Sequence, residues 1–267
     1  MKRIQLYFIL GLVFSILFIP CFSFAQGDNN IGDNGKIILV VMDRVSWNEI
    51  YKANTPNLDS LMDIGAIGLM TTNTGGSLSQ NNAYLTIGTG ARVTGVSGSQ
   101  QAFSYGHRYR GVKIEDLMFQ ITGHKMSEDA IGNPSIAKLH RANANRPYKV
   151  NIGALGTGLR EAGIKLAVVG NCDNYKRLEG DGGGKNFLVS MLMDDRGIVP
   201  LGDISHSLII EDGDWPMGIR TDYEKMLEVF KKLKDKAQLV AIQLGDTSRA
   251  EDFRHQSMDS RIEYHKI

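Results

Sequence analysis

Lys36–Arg44 reads K-I-I-L-V-V-M-D-R, Thr55–Ala66 reads T-P-N-L-D-S-L-M-D-I-G-A, and Ser79–Arg92 reads S-Q-N-N-A-Y-L-T-I-G-T-G-A-R. The first run is continuously aliphatic and ends on a carboxylate, the pattern of a parallel-sheet strand buried on both faces. Asn54-Thr55-Pro56 supplies a cap and then a proline at a helix start, and Gly65 ends that helix after Ile64. Residues 66–72 read as a second strand, Gly75-Gly76 as a loop, and 81–89 as a small-residue helix. Such an order sets Asp43, a hard metal ligand, beside the hydroxyl of Ser79 at the carboxyl edge of a sheet.

The same alternation continues downstream. Residues 152–162 form a helix stopped by Gly163, 164–170 a buried strand, and 187–193 a further apolar stretch that reads as a strand. Asp222 to Lys236 is amphipathic, with Met226, Leu227, Val229, Phe230 and Leu233 on one side. Leu239 to Leu244 is the last strand and leads into Gly245-Asp246. Strands alternating with helices predict an α/β fold with a mainly parallel sheet flanked by helices. Residues 94–147 show weak periodicity and read as loops and short helices, a candidate cap or loop insertion within a domain spanning 36–267.

The first 25 residues carry the marks of a signal peptide. Lys2 and Arg3 precede an apolar stretch from Ile4 to Ile19, and Ser23-Phe24-Ala25 fits a small-x-small cleavage site. The other reading, a membrane anchor, needs about 20 apolar residues, and a polar linker, residues 26–35, follows instead. The expectation is a secreted protein without a stable membrane span after cleavage. Removing Lys2 and Arg3 turns 30 Lys and Arg against 29 Asp and Glu into a slight acidic excess. No basic surplus points to nucleic acid. Of the two cysteines, Cys172 alone remains beyond the leader, which leaves no internal disulfide.

Asp43 and Asp246 both end strands, where ligands of open α/β sheets gather. Two carboxylates there suit a divalent cation, and each could equally cap a loop or helix. Ser79 is the best nucleophile candidate, because a helix start favours an anionic phosphoryl group. An N-cap role is its alternative, and Ser77 and Thr74 are rivals. Asn82 and Arg92 are candidate contacts to an anionic substrate. Among the six histidines no H-E-x-x-H or H-x-x-x-H pattern occurs, and His255 is the candidate metal ligand. The G-x-G of Gly88 and Gly90 lies at a helix end, so close helix packing explains it better than a nucleotide fingerprint.

These motifs, together with I-G-A-L-G-T-G-L-R-E-A-G-I-K-L-A-V-V-G-N at 152–171 and L-V-A-I-Q-L-G-D at 239–246, resemble the alkaline phosphatase superfamily. That group includes phosphoglycerate mutases, nucleotide pyrophosphatases and sulfatases. The resemblance implies a two-metal site holding zinc or manganese, and a Ser or Thr nucleophile that takes up the phosphoryl group. It places Asp43 and Asp246 as metal ligands, Ser79 as nucleophile and Asn82 at the phosphate. Three departures stand out. Arg44 replaces a customary glycine, Arg249 and Ala250 stand where a histidine is usual, and the chain contains no Asp-His dipeptide. The sequence therefore supports two expectations. One is a metal-dependent hydrolase or transferase of small phosphate or sulfate esters, in a form incomplete at its C-terminal end. The other is a non-catalytic relative with an incomplete metal site.

Overall fold

The computed structural model describes residues 35–71, 73–174 and 183–256, and its elements fall in the compact unit that begins at Lys36. The expected signal peptide and nearly all of the expected linker lie outside the described residues. In chain order the elements are β1 (Ile37–Met42), α1 (Trp47–Lys52), α2 (Pro56–Ile64), α3 (Gln80–Thr89), β2 (Gln101–Ser104), β3 (Arg108–Tyr109), β4 (Val112–Lys113), α4 (Ile114–Thr122), β5 (Ile131–Gly132) and α5 (Ile136–Asn143). They continue with α6 (Ala154–Glu161), β6 (Leu166–Val169), β7 (Gly183–Lys185), α7 (Phe187–Leu192), β8 (Ile198–Val199), β9 (Leu201–Asp203), β10 (Ile209–Glu211), β11 (Ile219–Thr221), α8 (Tyr223–Leu233), β12 (Leu239–Leu244) and α9 (Asp246–Gln256).

A parallel sheet in the order β1-β12-β6-β9 forms the centre. Ile37 pairs with Leu239 and Met42 with Leu244, and Leu239 continues the row to Leu166. The aliphatic runs of β12 and β6 alternate between two cores, as a sheet covered on both sides requires. Leu166, Val168, Leu239 and Ala241 face a large core with α3, α4, α5 and α7. Ala167, Val169 and Val240 face a smaller one under Met226, Val229 and Leu233 of α8. Each of the Val, Leu and Met side chains among them contributes on the order of 1.5–3 kcal/mol by leaving water. Asp222 caps α8 by accepting a hydrogen bond from the Lys225 amide.

A second sheet, β7-β2-β5-β8, is antiparallel. Residues 94–147 contribute two of its strands as well as α4 and α5. Ile114, Met118, Ile131, Ile136 and Leu139 are all buried in the large core. The segment read as a loop insertion is thus part of the main body.

Three differences from the sequence reading have physical causes. Residues 187–192 form a helix, not a strand. Asn186 caps it through a hydrogen bond from the Val189 amide, and all six helical residues are buried. A run apolar on every side carries no period to read. Residues 66–71 make no ladder, and Leu69 is fully exposed. A strand needs a partner edge for its amides. Finally, β1 is parallel as expected but sits at the sheet's edge. Leu39 and Val41 pack inward, while Ile38 and Val40 are half-exposed.

Among the described residues no helix is long and apolar enough to cross a membrane.

Candidate functional site

The carboxyl ends of the parallel strands carry Asp43 after β1, Cys172 and Asp173 after β6, His206 beyond β9 and Asp246 after β12. The two carboxylates singled out in the sequence follow neighbouring strands, since Met42 lies opposite Leu244.

Asp43 is held from two sides. Its Oδ2 accepts hydrogen bonds from the Tyr84 hydroxyl at 2.7 Å and from Gln243 Nε2 at 3.2 Å. Gln243 also donates to the Tyr84 oxygen at 3.1 Å, and its Oε1 accepts from the amides of Phe187 and Leu188 at the start of α7. Burial, and then the Asp43 charge, push the Tyr84 phenol far above its usual range, so it stays protonated and donates. The other oxygen, Asp43 Oδ1, is buried and has no hydrogen-bond partner.

Asp246 is fully engaged. Its Oδ1 accepts from the Thr221 amide at 2.9 Å, the Thr221 hydroxyl at 3.2 Å and Arg249 Nη2 at 2.7 Å. Its Oδ2 accepts from the Tyr223 hydroxyl at 2.7 Å. Arg249 is 1% exposed. Its guanidinium also donates to the carbonyls of Asn171 and Asp173 and to the Thr221 hydroxyl. A Cβ at Gly245 would meet Arg249 Nη1 at 2.7 Å and the Asn171 carbonyl at 2.4 Å. Glycine there makes the room that the guanidinium fills.

Ser79 is exposed and caps α3, accepting a hydrogen bond from the Asn82 amide at 3.3 Å. Next to it, Gln80 donates to the Ser248 hydroxyl at 2.9 Å, which ties the start of α3 to the first turn of α9. Asn82 is buried and both ends of its amide are engaged. Its Nδ2 donates to the Ser77 carbonyl at 2.7 Å, and its Oδ1 accepts from the Gly95 amide at 2.6 Å. Arg92 is exposed, and its carbonyl accepts the Tyr148 hydroxyl at 2.7 Å. His255 lies on the last turn of α9, two-thirds exposed and 3.0 Å from Glu251 Oε1. The structure thus joins Ser79 to Asn82, and places Asp43 and Asp246 on neighbouring strands. No contact links His255 to any of them.

At Asp246 a metal would meet a competitor. A divalent ion at Asp246 would have to displace Arg249 and strand its guanidinium against two carbonyls. Among the described residues no group of three His, Cys, Asp or Glu side chains is placed to hold a metal.

Two features escaped the sequence. Asp173 and His206 form a pair, Oδ2 to Nε2 at 3.2 Å, with Asp173 buried. The chain lacks an Asp-His dipeptide but assembles an Asp–His pair from two strand ends. The other is the ion cluster on Asp252. Arg44 pairs with its Oδ1, and Lys185 and Asn174 donate to its Oδ2 at 3.0 and 2.7 Å. Arg44 has φ 55°, a left-handed conformation that glycine adopts most readily.

Burial works against the Asp252 charge, but hydrogen bonds from Asn174 and Lys185 and the nearby cations outweigh it and hold this carboxyl below its usual range. A lowered folded pKa adds stability above the unfolded value, near about 4 for Asp. That stability is lost as pH falls through the folded value. The urea midpoint is therefore expected to drop on acidification below about pH 4, and Asp252→Asn to reduce the drop. An unchanged drop in the variant would remove Asp252 from the account.

Comparison of the chain with protein-family models, with curated proteins and with solved structures gives no match.

Proposed function

We propose that this chain is an exported, alkaline-phosphatase-like protein that binds small phosphate or sulfate esters without turning them over. Its fold, a parallel α/β sheet with Asp43 and Asp246 at adjacent strand ends, agrees with the superfamily resemblance. The observation that carries the non-catalytic reading is the engaged carboxylate of Asp246, which Arg249, Thr221 and Tyr223 occupy. On this reading Arg249 provides the positive charge that a metal provides in catalytic relatives. Asn82 supports the same reading, because its amide is committed to holding two loops.

The test is thermal unfolding of the purified protein with and without zinc or manganese, combined with an aryl phosphate assay. The melting temperature is expected to stay constant, and no Ser79-dependent hydrolysis to appear. An ion at a hundred times its Kd stabilises by about 2.7 kcal/mol. A rise of that order, with hydrolysis lost in Ser79→Ala, would sink the proposal.

One observation favours a metal-dependent hydrolase instead. The buried, unpartnered Asp43 Oδ1 is a hard oxygen open to a cation. That reading requires metal-induced stabilisation to vanish in Asp43→Asn.

A further inference from the structure

Where α5 ends, the chain bends through residues 144–152 and borders an open, shallow recess of about 760 Å³. Its wall carries four basic side chains, His140, Arg141, Arg146 and Lys149, and not one carboxylate. None of the residues discussed at the sheet's carboxyl edge lines it. The recess is within the size range of small-molecule sites, about 300–1,000 Å³.

The wall is held in shape from behind. Buried Asn143 accepts from the Thr94 amide at 3.0 Å and donates to the Thr94 and Leu139 carbonyls at 2.9 and 3.0 Å. Arg146 donates to the Gly75 carbonyl at 3.1 Å and to the Thr94 hydroxyl. Tyr148 is fixed through its hydroxyl to the Arg92 carbonyl, which leaves a partly exposed ring at the rim. His140 is anchored by a ring nitrogen 3.0 Å from the Asp195 carbonyl. By contrast Arg141 and Lys149 are exposed and enter no ion pair with any described residue.

Other surface cations on this protein are neutralised. Arg44, Arg160, Lys185, Arg220, Lys225 and Lys232 all sit on carboxylates. Uncompensated positive charge gathered in a concave, preformed wall focuses the field and attracts anions. Guanidinium forks match the oxygens of a phosphoryl group, and an ammonium adds a point charge. One carboxylate brings a single charge to such a wall, whereas a phosphate ester brings close to two and three acceptor oxygens.

We infer that this recess is a binding site for a small phosphate-bearing molecule, read by Arg141 and Lys149, with the positive charge of Arg146 behind them and Tyr148 against its organic part. It is separate from the site proposed above, and either can fail without the other.

Titration calorimetry of the full chain with pyrophosphate, at constant ionic strength set by sodium chloride, tests it. Saturable binding is expected, weakening steadily as salt is raised. The double variant Arg141→Gln/Lys149→Gln removes two exposed charges that pair with no described residue. It is expected to unfold at the same temperature without ligand and to bind at least about tenfold more weakly, a loss of about 1.4 kcal/mol. Absence of saturable binding, or binding untouched by the double variant, would each overturn the inference.

Discussion

Arg249→Met is expected to destabilise the protein by about 3–5 kcal/mol, the cost of breaking a buried ion pair by removing one partner. The guanidinium is 1% exposed and serves Asp246, Thr221 and two main-chain carbonyls. Methionine fills much of its volume but offers no proton. Asp246 would keep its bonds from Thr221 and Tyr223, yet its charge would face no cation at contact distance. The Asn171 and Asp173 carbonyls would lose a donor as well, so the segments after β6, the end of β11 and the start of α9 would lose a shared tie at the carboxyl edge. Urea midpoints at constant m-value measure the effect. The double variant Arg249→Met/Asp246→Asn is expected to recover part of the loss, because it removes the stranded charge. A single variant within about 1 kcal/mol of the starting protein would show that the pair contributes little, and would weaken the case that Arg249 has taken over a metal's position.

The role of Arg249 shows where a linear sequence stops being informative. The parallel sheet was legible in the continuous aliphatic runs at 166–169 and 239–244, because strands buried on both faces admit few polar residues, and the run at 37–42 has the same composition although its strand lies at the edge with one face half-exposed. The strand-end aspartates were legible for the same reason, since a carboxylate closing an apolar run stands out. Three residues after Asp246 on a helix, however, an arginine looks like an ordinary surface cation. Only the fold reveals that α9 turns it inward beneath Gly245. Likewise the strand-end residues Asp173 and His206 lie 33 positions apart, and nothing local joins them. The antiparallel sheet was hidden by size. Its strands run from two to four residues, too short for an alternation to be counted. Residues 66–71 err the other way. A-I-G-L-M-T has strand-like composition, but composition does not supply an edge to pair with, and the segment stays unpaired and exposed.

Gly156 and Gly158, two residues apart on α6, are expected to respond to alanine with opposite signs. A Cβ on Gly156 would lie 2.3 Å from the Leu192 carbonyl oxygen and 2.5 Å from the main chain of Met193. These are backbone atoms at the end of α7, which is buried along its whole length and cannot yield as a flexible side chain would. On its other side the same backbone meets Gly88 of α3, whose Cβ would lie 2.1 Å from the Met191 carbonyl oxygen. The end of α7 is thus gripped between two glycine faces, and Gly156→Ala is expected to cost about 1–3 kcal/mol as overpacking. Gly158 has nothing within 4 Å of its would-be Cβ and a helical backbone. There alanine only reduces the freedom of the unfolded chain, and Gly158→Ala is expected to gain roughly 0.5–1 kcal/mol. Shared helix and shared chemistry make each variant the control for the other: propensity alone would stabilise both. A neutral or stabilising Gly156→Ala would therefore mean that α6 does not approach α7 this closely, and that the small residues of L-G-T-G and I-G-T-G serve something other than helix packing.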